Sequence, residues 1–171
     1  MSLKDSFTTE EWNTLIRAPM MVSYAVAGSA PSSGIGFVKE MKAVADAIFD
    51  AGEQAPAGSL VEAVVNQIKA NATDQHEGPR ETIAAQEVGG RALEVCRQVN
   101  QILQSKANTD DVDGYKRWLL TVAQKVAEAT KEGGFLNFGG VRVSESETAA
   151  IGEIATALGV NDQQPYLPPS R

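Results

Sequence analysis

The chain has 171 residues, a formal net charge of −7 and one cysteine, and these values exclude several classes of protein. The length suits one domain with one hydrophobic core. A single cysteine forms no intramolecular disulfide, which excludes the disulfide-rich secreted class. The lysines and arginines are scattered, whereas nucleic-acid binding needs a basic patch, so no nucleic-acid partner is expected.

The distribution of apolar residues argues against a membrane protein. The longest apolar stretch, Ala18 to Ala30, contains Ser23 and Gly28 and is shorter than the roughly 20 residues of a membrane helix. The first residues, MSLKDSFTTEEW, show no basic segment followed by an apolar one, so no secretory signal is expected. We therefore expect a cytoplasmic protein with no membrane partner.

The first predicted helix begins after Thr8, because Thr8 and Glu11 have the spacing of a capping box. Its apolar face is formed by Trp12, Leu15 and Ile16. Pro19 is expected to end this helix or to start the next, since proline is tolerated in a first turn and disrupts a helix interior. A second helix is expected from Met20 to Ser29.

Two more helices are predicted before residue 71. After a turn at residues 30–34, apolar residues recur at helical spacing, and Gly52 is the expected end of that helix. The recurring positions are Phe37, Val38, Met41, Val44, Ala45, Ile48 and Phe49. Ser59 and Glu62 form a second capping box, and the helix that follows carries the stripe Val61, Val64, Val65 and Ile68.

The longest helical pattern runs from Arg80 to Lys106 and contains Gly89 and Gly90. A glycine in a helix interior costs roughly 1 kcal/mol relative to alanine, so we expect a break there or a second helix packed very close. Another amphipathic helix is predicted from Asp110 to Lys131. Its inward residues are Tyr115, Trp118, Leu119, Val122 and Val126.

The last predicted helix begins at Ser144, where Ser144 and Glu147 form a third capping box, and ends at Gly159. No segment has a strong strand pattern. The predicted fold class is therefore all-α, a single-domain bundle of six or seven helices over residues 1–159. Residues 160–171 are expected to form a proline-containing C-terminal tail.

The segment KEGGFLNFGGVRVSESE, residues 131–147, contains two glycine pairs. Gly134 and Gly139 have the spacing of a phosphate-binding loop, but Gly140 and Val141 stand where that motif needs Lys and Ser or Thr. We interpret the segment as a corner between two helices, with its aromatic residues either buried as a plug or exposed as an interaction patch. The residues of this interaction loop are Gly133, Gly134, Phe135, Phe138, Gly139, Gly140 and Arg142.

Few residues suit metal or nucleophile chemistry. His76 and Cys96 lie far apart in sequence, which excludes a structural zinc site, and Cys96 falls on an apolar stripe typical of a core residue. The run Asp110 to Gly114 does not fit a calcium loop, because its last ligand would fall on Leu120. No catalytic residue and no cofactor are predicted, and a non-enzyme is favoured.

The stretch VAEATKEGGFLNFGGVRVSESETAAIGEIATAL resembles the signature of tellurite-resistance TerB-like helical domains. In that family a helix ends in an Asp-Gly turn and Ser-x-x-Glu begins the next helix, and Val143, Ser144 and Glu147 match here. A Gly-Gly pair and a longer insert replace the Asp-Gly turn. The chain also resembles an uncharacterised bacterial all-helical family, and that resemblance implies no activity.

Three functional hypotheses follow from the sequence. The first is a non-enzymatic protein-interaction module that binds another protein or a second copy of itself as a homodimer. The second is a TerB-like stress-response module that binds a divalent cation or a small ligand through Glu145 and Glu147. The third is an enzyme that uses carboxylates in the core of a helical bundle.

Overall fold

The computed structural model describes residues 3–29, 37–73, 87–132 and 145–160. These ranges contain a short 3-10 turn, Leu3–Ser6, and six α-helices: α1 (Thr9–Ser29), α2 (Phe37–Gly52), α3 (Leu60–Thr73), α4 (Val88–Lys106), α5 (Thr109–Glu132) and α6 (Glu145–Ala157). The described ranges contain no strand, so the predicted all-α class and helix number are confirmed. None of the described helices is both long and apolar enough to span a membrane.

Helices α1 and α5 form the centre of the bundle, because each contacts the other and all four remaining helices. Helix α1 packs mainly against α4 and α5, and α2 packs mainly against α5. Helix α6 lies over α4, α1 and α5. The buried residues of all six helices form one continuous core, as expected for one domain of this length.

The prediction that Pro19 separates two helices is wrong, because α1 runs without interruption from Thr9 to Ser29. A proline inside a helix has no N–H to donate to the carbonyl four residues earlier, which here belongs to Leu15. The Tyr115 hydroxyl, on α5, donates a hydrogen bond of 2.5 Å to that carbonyl. The buried acceptor is thereby satisfied from another helix, and α1 continues through the proline.

The first predicted capping box is confirmed, and the second is formed in part. The Glu11 N–H donates to Thr8 Oγ1 over 3.2 Å, and the Thr8 N–H donates to the Glu11 carboxylate over 2.7 Å. The Glu62 N–H donates to Ser59 Oγ over 3.3 Å, while the Glu62 carboxylate accepts from the Gly58 N–H rather than from Ser59. In the third box, Ser144 lies outside the described residues.

The predicted helix start near Asp110 is also present, and its cap joins two helices. The Asp111 N–H donates to Asn108 Oδ1, and the Asn108 amide donates to Asp111 Oδ2. Asp111 Oδ1 also accepts the N–H of Leu60, the first residue of α3, over 2.8 Å. One carboxylate therefore caps α3 and stabilises the start of α5, two helices that are far apart in sequence.

Gly52 and Gly159 lie at helix ends as predicted, and α4 begins at Val88, beside the Gly89–Gly90 pair where a break was one of the two predicted alternatives. Helix α2 ends at Gly52, and Gly159 follows α6 with φ +68°, where its N–H and that of Val160 donate to carbonyls of the last turn. Gly89 and Gly90 lie in the first turn of α4 rather than in its middle. No described atom lies within 4 Å of a Cβ built at either glycine, so the predicted close helix is absent from the described residues.

Most apolar residues that recur at helical spacing are in the core. The buried ones are Trp12, Leu15, Met21, Val44, Ile48, Val61, Val64, Val65, Ala92, Val95, Cys96, Val99, Leu103, Tyr115, Trp118, Leu119, Val122, Val126, Ile154 and Leu158. Ile16, Phe49, Ile68, Ile102 and Ile151 are partly buried against them. The side chains of Phe37, Val38 and Met41 lie outside the described part.

Candidate functional site

The one cysteine, Cys96 on α4, is buried in the core, as predicted. Cys96 has no exposed surface, and burial raises the pKa of its thiol to about 12. Tyr115 is equally buried, and burial raises the pKa of its hydroxyl well above the usual value. A thiol attacks as the thiolate, so Cys96 is a core residue in this conformation rather than a nucleophile.

A buried lysine on α5 links three helices near the end of α6. Lys116 is 7 % exposed, and its Nζ donates to Asn100 Oδ1, on α4, over 2.7 Å. The Asn100 side chain lies against Gly159, where an added Cβ would come within 3.0 Å of Asn100 Nδ2. Burial lowers the pKa of Lys116, and the charge of Asp113 acts in the opposite direction. Lys116 therefore joins α5 to α4, and Asn100 in turn lies against Gly159, just after α6.

The two predicted cation ligands have different environments. Glu145 is exposed, whereas Glu147 is 2 % exposed. Residues two apart on a helix do not face each other, so the structure does not bring these carboxylates together. Among the described residues there is no group of three or more His, Cys, Asp or Glu side chains able to hold a metal ion.

The predicted interaction loop, Gly133, Gly134, Phe135, Phe138, Gly139, Gly140 and Arg142, lies outside the described residues, and so does His76.

A surface groove of about 610 Å³ runs between α4 and α6. Its α4 wall is formed by Leu93 and Arg97. Its α6 wall consists mostly of small residues: Ala149, Gly152, Glu153, Thr156 and Ala157. Most of these residues are exposed, so the site is an open groove rather than an enclosed cavity.

A second cavity of about 240 Å³ adjoins this groove where α1 ends and α4 begins. Leu93 and Glu153 line both, so the two spaces are adjacent. Gly28, Gly89 and Gly152 come from three different helices and line these spaces, and no described atom lies within 4 Å of a Cβ built at any of them. We call the combined feature the α4–α6 groove. Its walls leave helix backbone accessible from outside.

Sequence reasoning did not identify this groove, because it depends on how α4 and α6 pack. One signal was available. Gly152 interrupts the last predicted helix, and a glycine in a helix interior lowers helix stability without a visible benefit. Such a glycine indicates a place where another backbone approaches closely.

Comparison with known proteins gives no relative. No family model, no curated protein and no solved structure matches this chain. The resemblance to TerB-like domains therefore stays a prediction, and the candidate site is defined by its geometry.

Proposed function

We propose that this chain is a non-enzymatic protein-interaction module and that the α4–α6 groove is its binding surface. The observation that carries the proposal is the groove's lining, with small α6 residues facing Leu93 and an exposed charge on each wall. A partner helix can approach closely over glycine and alanine, because their side chains leave the groove shallow and smooth. A cytoplasmic location is part of the proposal, and the free cysteine supports it.

The shape of the groove favours a protein partner over a small molecule. Pockets for small molecules bury 70–90 % or more of the ligand surface. Here Arg97, Ala149, Gly152 and Thr156 are all exposed. An open groove between two helices suits an extended partner such as an amphipathic helix, which is anchored at several points along its length.

Site-specific photocrosslinking in the native cell tests this function. A benzophenone amino acid at Ala149 lies in the groove, whereas the same amino acid at Ser105 is exposed near the far end of α4. We expect discrete protein adducts from position 149 and none of the same mass from position 105. If position 149 yields no adduct, or the same adducts as position 105, the α4–α6 groove is not a protein-binding surface.

A second candidate function is divalent-cation binding, and the burial of Glu147 is the observation that favours it. Hard cations bind carboxylate oxygens. An ion at 100 times its dissociation constant adds about 2.7 kcal/mol to stability, which corresponds to a rise in Tm of roughly 5–10 °C.

The test is a thermal-shift screen of metal-free protein with calcium, magnesium, manganese and zinc. We expect the wild-type chain to respond to one ion and Glu147→Gln to lose that response. Glu145→Gln, at an exposed position of the same helix turn, is the matched control. The absence of a response to every ion, or an unchanged response in Glu147→Gln, would eliminate this candidate.

A further inference from the structure

We infer that the partner in the α4–α6 groove is a second copy of this chain, related by a two-fold axis close to Gly152. In this arrangement α6 of each copy lies against the groove of the other. The inference rests on the proposed function and names its partner. Two observations carry it: the placement of opposite charges on the two walls, and a glycine that the described chain does not require.

The charges make the groove complementary to itself. Arg97 on the α4 wall and Glu153 on the α6 wall both line the groove. The Glu153 side chain forms no hydrogen bond or ion pair with the described residues, and the Arg97 side chain has a 3.4 Å contact with exposed Glu94. In the proposed interface Arg97 of one copy lies opposite Glu153 of the other, and the two-fold axis makes this contact occur twice.

This pairing matters because the chain carries a net charge of −7. Two such chains repel each other unless their contact surfaces are specifically complementary. On the α4–α6 groove, Arg97 offers a cation opposite each incoming Glu153. The paired charges also fix the orientation of the two copies, since a parallel shift along α6 would separate both pairs.

The glycine observation is independent of charge. Gly152 lies in the middle of α6, where glycine lowers helix stability, and a Cβ built there meets no described atom. Packing within the described chain therefore gives no reason for glycine at this position. Two α6 helices that cross at Gly152 come close without a side chain between them, which provides that reason.

Analytical ultracentrifugation of charge variants tests the inference. We expect the wild-type chain to be a dimer, and we expect Arg97→Glu or Glu153→Arg to raise the dimer dissociation constant at least tenfold. The double variant Arg97→Glu/Glu153→Arg restores both ion pairs with reversed polarity, so its dissociation constant should return close to the wild-type value. Arg117→Glu makes the same charge change at an exposed site on α5 and should leave dimerisation unchanged.

A second measurement does not depend on charge. Gly152→Leu has space for its side chain within one chain, but it places that side chain between the two α6 helices of the proposed dimer, so the dimer dissociation constant should rise at least tenfold. Ser105→Leu, exposed near the other end of α4, should leave the dissociation constant unchanged. An unchanged dissociation constant in Gly152→Leu would overturn the crossing of α6 helices at Gly152.

The outcomes separate this inference from the proposed function. A wild-type monomer at all concentrations, or a double variant as weak as the single variants, overturns the two-fold dimer. If photocrosslinks from Ala149 then contain a different protein, the chain is still an interaction module with another partner. If Ala149 gives no crosslinks and the chain is monomeric, both proposals are overturned.

Discussion

Replacing Tyr115 with phenylalanine is expected to lower the free energy of unfolding by about 2 kcal/mol, although the aromatic ring is kept. The Tyr115 hydroxyl is the donor to the Leu15 carbonyl, and Pro19 provides no N–H for that carbonyl. A buried acceptor left without a donor costs about 1–3 kcal/mol. Urea unfolding followed by circular dichroism measures the loss.

The control is the same substitution in a Pro19→Ala chain. The alanine introduced by that change has an N–H that donates to the Leu15 carbonyl within α1, so the Tyr115 hydroxyl is no longer the carbonyl's one donor. We expect Tyr115→Phe to cost less than about 1 kcal/mol in that background, and the double-mutant cycle then gives a coupling of about 1 kcal/mol or more. Equal costs in both backgrounds would show that the hydroxyl does not compensate for the proline.

Gly52→Ala is the second substitution with a large expected effect, a loss of about 2 kcal/mol. A Cβ built at Gly52 lies 2.6 Å from Val65 Cγ2, on the neighbouring helix α3. The backbone of Gly52 does not have a positive φ, so alanine fits its conformation and the cost is steric. Adding a methyl group to a well-packed interface costs typically 1–3 kcal/mol. The midpoint of urea unfolding reports this loss.

Val65→Ala provides the matching background, because it removes both methyl groups that an alanine at position 52 would approach most closely. We expect Gly52→Ala to have almost no cost there, so the two substitutions are strongly non-additive. Gly58→Ala is not a suitable comparison, since Gly58 has φ +79° and an alanine there is strained by its backbone. A full cost of Gly52→Ala in the Val65→Ala chain would contradict the steric explanation.

Local signals in the sequence predicted much of this fold. The boxes at Thr8–Glu11 and Ser59–Glu62 form because their hydrogen bonds lie within one turn, and no distant residue is needed to complete them. The apolar stripes predicted which residues are buried. Val99 and Leu119, for example, lie on the apolar face of their helices, and that face packs into the core.

The error at Pro19 and the position of Gly89–Gly90 at the start of α4 have separate physical explanations. Whether a proline ends a helix depends on whether the carbonyl it leaves unpaired finds another donor, and that donor is 100 residues away on Tyr115. At Gly89 the apolar pattern continued upstream of the helix start at Val88, so periodicity alone placed the glycine pair in a helix interior.

The candidate site was much harder to predict than the fold. Glu145 and Glu147 are neighbours in sequence, but the helix directs one to solvent and the other into the protein. The α4–α6 groove brings together Arg97 and Glu153, which are 56 positions apart, and no local pattern connects them. In the sequence, Gly152 inside the last predicted helix was the one feature that indicated the groove.

The contact between α1 and α5 has a consequence for folding during synthesis on the ribosome. The Tyr115 hydroxyl reaches α1 across 100 residues of chain, and α4, the other main partner of α1, also follows late. A ribosome adds about 5–20 residues per second, so α1 leaves it roughly 5–20 s before the tyrosine does. During that interval the apolar face of α1 does not have both of its main partner helices to pack against, so we expect chaperones to bind it.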